Sequence, residues 1–171
     1  MNNILGEPVS HPYRTHEIRV RTLRKTRNSV TTILEELLTD RGASWNTIAI
    51  VSNLSVSTAK RLRTGGKIGL KGHTNLAKFA SLLDMLEENG FQVNPVAWME
   101  TNLPLLESGY NIRPLDLYFE GHDIVLVDLA AYPQTVFQTL DRVRPGWRKS
   151  RSMFETFVDG DGYLSLRMRN D

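Results

Sequence analysis

The sequence predicts a mainly α-helical amino-terminal bundle followed by a small α+β domain with an antiparallel sheet. The bundle is predicted because two helices with clear apolar periodicity flank a pair of short helical stretches joined by a tight turn at 53–55. The second domain is predicted because, beyond residue 115, short apolar runs and an alternating carboxyl-terminal segment replace the helical pattern.

The two flanking helices follow from the spacing of apolar residues. The first has them at i, i+3, i+4, i+7 and i+8, which are Val30, Ile33, Leu34, Leu37 and Leu38. Asn28 or Ser29 can cap its start, and Gly42 can close its end. The second begins at Thr74 and should end at Gly90; its apolar residues are Leu76, Phe79, Ala80, Leu82, Leu83 and Leu86.

Between these helices, the stretch from Ser44 to Gly65 predicts two short helices around a turn. Ile48 and Ala49 lie in the first, and Ala49 is small enough for close helix approach. Ser55 is a good cap for a second helix at 56–64, because its hydroxyl can accept an orphan backbone N–H. Ala59 and Leu62 face inward from that helix, and Gly65-Gly66 ends it.

This stretch resembles the helix-turn-helix of the Cro/cI-like (XRE) repressors, whose pattern reads roughly L-A-x-x-x-G-V-S-x-x-T-V-x-R-L-x-x-G. The matching residues are Ile48-Ala49, Asn53-Leu54-Ser55, Thr58-Ala59, Arg61-Leu62 and Gly65. The segment TNLAKFASLL also matches the family's closing helix, so the resemblance covers about residues 30–89. Asn53 replaces the usual turn glycine, Trp45 stands where a phosphate-contacting Gln is frequent, and Ser52 occupies a usually apolar position.

The resemblance implies that the second helix enters the major groove of double-stranded DNA with its amino-terminal residues at the base edges. The candidate base-contacting residues are then Val56, Ser57, Lys60 and Arg61. The candidates for the DNA backbone are Ser55, Arg63, Thr64, Lys67 and Lys71. The glycine-rich segment 65–73 is expected to be a loop that can approach DNA closely.

Charge is distributed unevenly along the chain. Residues 1–73 hold 12 Lys/Arg and 5 Asp/Glu, whereas residues 74–171 hold 9 Lys/Arg and 14 Asp/Glu. The amino-terminal half is therefore basic by 7 charges and the carboxyl-terminal half acidic by 5. A basic half that faces DNA, joined to an acidic half that avoids phosphates, accounts for this distribution; chance clustering of solvated charge is the alternative.

Four regions are expected. Residues 1–28 form a basic amino-terminal arm or a strand at 17–23, with a basic helix as the competing interpretation, and residues 29–90 form the DNA-binding domain. Residues 91–114 form a connector with one short helix near 95–101. In the α+β region, 115–171, strands are expected at 116–119 and 123–129, a helix at 133–143 and a terminal hairpin across 153–168.

Several other classes of function lack support in the sequence. The absence of cysteine excludes thiol chemistry, and no apolar run is long enough to cross a membrane. The DGDG sequence at 159–162 fits a turn better than a calcium loop, and His122 with its acidic neighbours fits surface charge better than a metal site. We therefore expect no catalytic, cofactor or metal site, and a cytoplasmic, nucleoid-associated protein.

These observations predict a sequence-specific regulator of transcription, most simply a repressor that binds an inverted repeat as a homodimer. An antitoxin is the alternative, with a toxin or an antirepressor bound by the carboxyl-terminal half, through 102–114 or 148–171. A third hypothesis assigns no DNA role and treats the helical corner as a scaffold for protein contacts.

Overall fold

The computed structural model describes residues 11–89, 94–105, 110–152 and 154–168. Its first five helices are α1 (His11–Lys25), α2 (Val30–Glu35, continued by a π-helical turn at Glu36–Asp40), α3 (Trp45–Ser52), α4 (Val56–Leu62) and α5 (Leu70–Glu88). Its remaining helices are α6 (Pro95–Glu100), α7 (Pro114–Phe119), α8 (Asp123–Ala131) and α9 (Val136–Val143), with 3₁₀ turns at Pro133–Thr135 and Trp147–Ser150. Two strands follow, β1 (Phe154–Val158) and β2 (Leu164–Met168).

Helix α5 lies at the centre of the molecule. Helices α1, α2 and α3, which precede α5 in the chain, pack against it, and so do α6 and α8, which follow it. From Leu76 to Leu86 its apolar residues are fully buried, among them Phe79 and Leu83, whereas Leu70 in its first turn is exposed. The buried core is continuous from Ile18 to Trp147, so a single apolar interior supports every helix around α5.

The two flanking helices predicted from apolar spacing are confirmed as α2 and α5. Ser29 caps α2 by accepting a hydrogen bond from the Thr32 backbone N–H at 3.1 Å. Helix α5 begins at Leu70, so the prediction of a loop throughout 65–73 is wrong for its last four residues. The predicted stop at Gly90 lies outside the described residues.

Helix α1 corrects the strand expected at 17–23 and agrees with the competing prediction of a basic helix, although it spans His11–Lys25 and does not continue into α2. Ile18 and Thr22, one helical turn apart, are buried, whereas Val20 is 39% and Leu23 62% exposed. The alternation of apolar and basic residues resembled a strand because the buried stripe of α1 is narrow, which leaves other apolar residues in solvent. Residues 1–10 of the predicted arm lie outside the described part of the chain.

The carboxyl-terminal half contradicts the predicted α+β domain with an antiparallel sheet. The stretches 116–119 and 123–129, which were expected to be strands, belong to α7 and α8. Every residue from Asp123 to Leu129 is buried, so α8 has no polar face to reveal a helical period. A short apolar run buried on all sides has the same composition as a core strand, so the sequence pattern predicted a strand where a helix forms. Residues 120–122, between these two stretches, join α7 to α8, with Gly121 at φ +89°.

The two strands in the described residues form a single antiparallel hairpin, in register from Phe154↔Met168 to Val158↔Leu164. The hairpin pairs with no other strand in the described residues, so it is a two-stranded addition to a mainly α-helical body rather than a sheet domain. Within that body, the expected connector helix is confirmed as α6, and the helix expected at 133–143 is confirmed as α9 with its preceding 3₁₀ turn.

Candidate nucleic-acid interface

Helices α3 and α4 are joined by a tight turn that depends on Asn53. Asn53 adopts the left-handed conformation (φ 58°, ψ 46°), which asparagine tolerates better than most residues. The Leu54 N–H then donates back to the Ala49 carbonyl at 2.8 Å and closes the end of α3. Ser52, at a position that is usually apolar, is buried and donates its hydroxyl to the Ile48 carbonyl at 2.6 Å. Its polar group is therefore satisfied inside the helix. We call residues 44–66 the reader.

The start of α4 is fixed by a serine cap and two buried anchors. Ser55 has extended backbone angles, and its hydroxyl accepts a hydrogen bond from the Thr58 N–H at 3.2 Å. Ala59 and Leu62 face inward and are 0% and 1% exposed. The cap and anchors predicted from the sequence are confirmed, and together they set which face of α4 remains in solvent.

The end of α4 is held by a Schellman-type pair of hydrogen bonds. The Gly66 N–H donates to the Arg61 carbonyl at 2.9 Å, and the Gly65 N–H donates to the Leu62 carbonyl at 3.3 Å. Gly65 has φ +88°, which requires glycine. A Cβ atom on Gly66 would lie 2.7 Å from the Arg61 carbonyl oxygen, so this position also needs glycine.

A close contact between α3 and α5 attaches the reader to the core. Gly72 is buried in the first turns of α5, and a Cβ atom there would lie 3.1 Å from the Ser52 carbonyl oxygen and 2.8 Å from Ile68 side-chain atoms. The absence of a side chain therefore lets α5 approach the end of α3. Gly72 could not be recognised as a helix contact from the sequence, because the glycines and lysines around it are typical of a loop.

The structure places the nine predicted contact residues on the outside of the molecule. Val56 is half-buried against the core, and the other eight, Ser55, Ser57, Lys60, Arg61, Arg63, Thr64, Lys67 and Lys71, are exposed. Those from Ser55 to Arg61 lie along α4 and its cap. Lys67 follows in the segment between α4 and α5, while Lys71 lies in the first turn of α5 rather than in a loop.

The charged residues of the reader and of the segment that follows it are all basic. The sequence contains no acidic residue from Arg41 to Leu83. Within the described parts of the chain, none of the five contact-candidate cations (Lys60, Arg61, Arg63, Lys67 and Lys71) forms an ion pair with a carboxylate. Arg61 instead approaches the Thr58 hydroxyl, at 3.4 Å. Such cations are available to phosphates without first losing an internal partner.

The cations of α1 are arranged differently. Arg14 pairs with Asp128 of α8, and Arg21 pairs with Glu88 of α5 at 2.6 Å. Lys25 lies 2.7 Å from Glu36 and 3.1 Å from Asp84. Three of the six basic residues between Arg14 and Arg27, namely Arg14, Arg21 and Lys25, therefore bind carboxylates of neighbouring elements.

A network of ion pairs joins α1, the π-helical turn and α5. Arg41 is its most enclosed member, with a side chain that is 11% exposed. Its guanidinium pairs with Asp84, lies 3.2 Å from Glu36 and lies 2.9 Å from Glu87. Lys25 adds a second cation to Glu36 and Asp84. Sequence spacing gave no signal for this network, because its members come from three separate elements.

Other candidate sites have structural explanations. The Asp159 carboxylate accepts hydrogen bonds from the Tyr163 and Asp161 N–H groups and the Ser165 hydroxyl, which lower the pKa of Asp159. Asp123, beside His122, pairs with Lys78 at 3.0 Å. No group of three or more His, Cys, Asp or Glu side chains in the described residues is placed to hold a metal ion.

Among the described helices, none combines the length and the apolarity needed to cross a membrane. Comparison of the chain with protein-family models, with curated proteins and with solved structures found no match. What the chain does must therefore be inferred from its own residues and geometry.

Proposed function

We propose that the protein is a sequence-specific regulator that binds double-stranded DNA through α4. The observation that carries the proposal is the reader: an exposed helix, capped at Ser55 and anchored by Ala59 and Leu62, whose cations have no internal carboxylate partner among the described residues. An exposed helix of this kind fits the major groove in width, and its charge complements the phosphates that line the groove.

Base recognition is assigned to the exposed face of α4. Lys60 and Arg61 carry donors suited to the guanine O6 and N7 acceptors, and Arg61 can engage both atoms of one base. Ser57 can hydrogen-bond a base edge, and Val56 offers methyl groups to a thymine methyl. Ser55 marks the start of the helix, so these four residues follow the cap within its first two turns.

Backbone contacts are assigned to Ser55 and to the residues after α4, namely Arg63, Thr64, Lys67 and Lys71. Arg63 and Thr64 extend the helix to its glycine cap, and Lys67 and Lys71 bracket the start of α5. Contacts of this type fix the register of a protein on the duplex and strengthen binding to all sequences alike. In this assignment the exposed residues of α4 contact the bases, and Ser55 and the residues after α4 orient the protein on the duplex.

The proposed regulator acts as a repressor and binds an inverted repeat as a homodimer. A seven-residue helix reaches only a few base pairs, so two copies are needed to read a longer site. In such complexes two recognition helices enter successive major-groove faces about 34 Å apart. Sedimentation of the protein with and without a bound DNA duplex will determine whether the complex holds two chains.

A second candidate, an antitoxin that also binds DNA through α4, is favoured by the carboxyl-terminal hairpin. On this hairpin, Val158, Tyr163 and Met168 are 67%, 72% and 59% exposed. A toxin could cover such a surface. Co-purification with the product of a neighbouring small gene supports the antitoxin; a protein that purifies alone as a homodimer supports the repressor.

The decisive experiment selects the genomic DNA fragments that the protein retains and then measures its affinity for the preferred fragment. The double variant Lys60→Ala/Arg61→Ala should bind that fragment at least about thirtyfold more weakly, because each lost base contact costs about 1–3 kcal/mol. Arg24→Ala/Arg142→Ala removes the same charge from exposed positions outside the reader and serves as the control.

The control should bind within about threefold of the unmodified protein, since distant charges contribute little at physiological salt. Thermal unfolding of all three proteins will show whether each is folded. If the two double variants lose the same affinity, binding reflects net charge and α4 is not the recognition helix. If the unmodified protein retains no DNA, the proposed function fails.

A further inference from the structure

A cleft of about 550 Å³ lies between α1, α5 and the start of α8, and none of its lining residues is among the contact residues assigned to DNA. Its volume falls in the range of small-molecule sites in proteins, which is about 300–1,000 Å³. Ile18 and Leu23 of α1 and Val125 of α8 supply its apolar lining. Leu23 is 62% exposed, so its side chain is accessible to a molecule in the cleft.

The charged groups of this cleft are two cations and one carboxylate, with His122 beside them. Lys78 and Asp123 neutralise each other, with the ammonium nitrogen 3.0 Å from a carboxylate oxygen. Arg19 lines the same cleft, is exposed, and forms no ion pair with any carboxylate in the described residues. The excess charge is therefore positive and is carried by a guanidinium, which can bind a carboxylate through two parallel hydrogen bonds.

The cleft is lined by α5, the helix that supports the reader. Thr74 and Lys78 of α5 line it, and Gly72, two residues before Thr74, contacts the end of α3 at Ser52. A molecule bound between α1, α5 and α8 would touch the element that supports the reader. Coupling between two sites requires such a shared element, whose position both ligands can bias.

From these observations we infer that the cleft binds a small organic acid, with its carboxylate on Arg19 and its apolar body on Ile18, Leu23 and Val125. The acid acts as an effector that changes affinity for DNA; this second part rests on the proposed function, whereas acid binding itself does not.

The probe for the site is 8-anilinonaphthalene-1-sulfonate, an anion with an apolar ring system whose fluorescence rises on binding. The folded protein should bind one equivalent, and Arg19→Ala should raise the dissociation constant about tenfold, through loss of a charge-assisted contact. Arg19→Glu should raise it further. Arg24→Ala removes an exposed cation of the same helix that does not line the cleft, and it should leave the constant unchanged.

Competition identifies the ligand class. Benzoate should displace the probe, whereas benzamide, which has the same ring and no charge, should not. Equal displacement by the two, equal probe affinity of the unmodified protein and Arg19→Ala, or no binding of the probe would each overturn the site. Because Arg19 is exposed and forms no ion pair with a described carboxylate, both Arg19 variants should keep the thermal unfolding midpoint and test binding alone.

A DNA-binding measurement at saturating probe tests the effector role. The probe should change the affinity of the unmodified protein for its selected fragment at least about threefold and leave that of Arg19→Glu unchanged; typical coupling between sites is about fivefold or more. An unchanged affinity, with the probe bound, overturns the effector role. If the protein binds no DNA at all, the proposed function fails, and the fluorescence measurements still decide whether the cleft is a site.

Discussion

Helix α1 and the reader both carry several basic residues, but they differ in where the counter-charges lie. Arg14, Arg21 and Lys25 of α1 pair with carboxylates of α8, α5 and the π-helical turn. Lys60 and Arg61 of the reader lie in a stretch of the sequence, 41–83, that contains no acid at all. The same residue types therefore hold helices together in one region and remain available to an external anion in the other.

The comparison shows that a count of basic residues overstates the surface available to DNA. The amino-terminal half has 12 basic residues, and four of them (Arg14, Arg21, Lys25 and Arg41) are engaged in ion pairs with neighbouring helices. Phosphate binding releases counterions only where the protein's cations face solvent. The following changes are designed to separate the two kinds of cation.

The largest effect on stability is expected from Arg41→Ala. This change leaves Lys25 as the remaining cation beside Glu36 and Asp84 and removes the Arg41 partner of Glu87. Removing one partner of a largely buried ion pair costs about 3 kcal/mol in the free energy of unfolding, which urea denaturation will measure. Lys71→Ala removes an exposed cation in the first turn of α5 and should change the free energy of unfolding by less than about 0.5 kcal/mol. Equal stability of the two variants would contradict the distinction between the regions.

The next effect separates two cations of the reader itself. Arg61→Ala should weaken binding to the preferred DNA by about 1–3 kcal/mol and relax the preference at one base pair. Arg63→Ala should weaken binding to preferred and unrelated DNA by the same factor, because a phosphate contact carries no sequence information. Affinities for the selected site and for its single-base variants will distinguish these results; loss of preference in Arg63→Ala would reverse the two assignments.

Gly66→Ala should destabilise the fold by about 1 kcal/mol, because its Cβ would lie 2.7 Å from the Arg61 carbonyl oxygen. It should also weaken DNA binding, since the end of α4 and the path to Lys67 must shift. Gly160 is exposed, has open space around the site of a Cβ and no positive φ, so Gly160→Ala should stay within about 0.5 kcal/mol. If the two alanine variants are equally stable, the glycine cap does not hold the reader's end.

The smallest expected effect is the pH dependence of one α1 ion pair. The hydrogen bond from Arg21 lowers the pKa of Glu88 below its ordinary value of 4.5. A lowered carboxyl pKa stabilises the fold at neutral pH, and that contribution is lost as pH falls below 4.5 through the folded-state value. Glu88 is 58% exposed, so the loss should be below about 0.5 kcal/mol.

Unfolding midpoints of the unmodified protein and Glu88→Gln, compared at neutral pH and at about pH 3, will measure that contribution. The difference between the two proteins should shrink in acid. A difference that is constant with pH would show that the ion pair does not stabilise α1.

The local features of the reader could be predicted because each depends on residues a few positions apart. Ser55 caps α4 through Thr58, three residues away, and Asn53 reverses the chain by its own backbone conformation. Ala59 and Leu62 follow from helical spacing and were correctly placed inward. The start of α5 was missed because three glycines in 66–72 suggested a loop, whereas Gly72 permits close contact between two helices.

The carboxyl-terminal half and the ion pairs could not be predicted in the same way. Burial around the whole of α8 removed the polar positions that reveal a helical period, so a strand was the natural interpretation of Ile124–Val127. The pair Arg14–Asp128 joins residues 114 positions apart, and Arg41 meets Asp84 from another element. Such contacts follow from the packing of α1 and α5, for which the chain provides no local signal.

The most direct test of the account is the salt dependence of DNA affinity for three proteins: the unmodified chain, Arg63→Ala/Lys67→Ala and Arg24→Ala/Arg142→Ala. The logarithm of the association constant should fall linearly with the logarithm of salt concentration, and the slope of the Arg63/Lys67 variant should be smaller by roughly 1 for each lost phosphate contact. The Arg24/Arg142 variant, with the same net charge, should retain the slope of the unmodified protein. Equal slopes for all three proteins, or an equal loss in both variants, would show that DNA does not bind the surface formed by α4 and the segment after it.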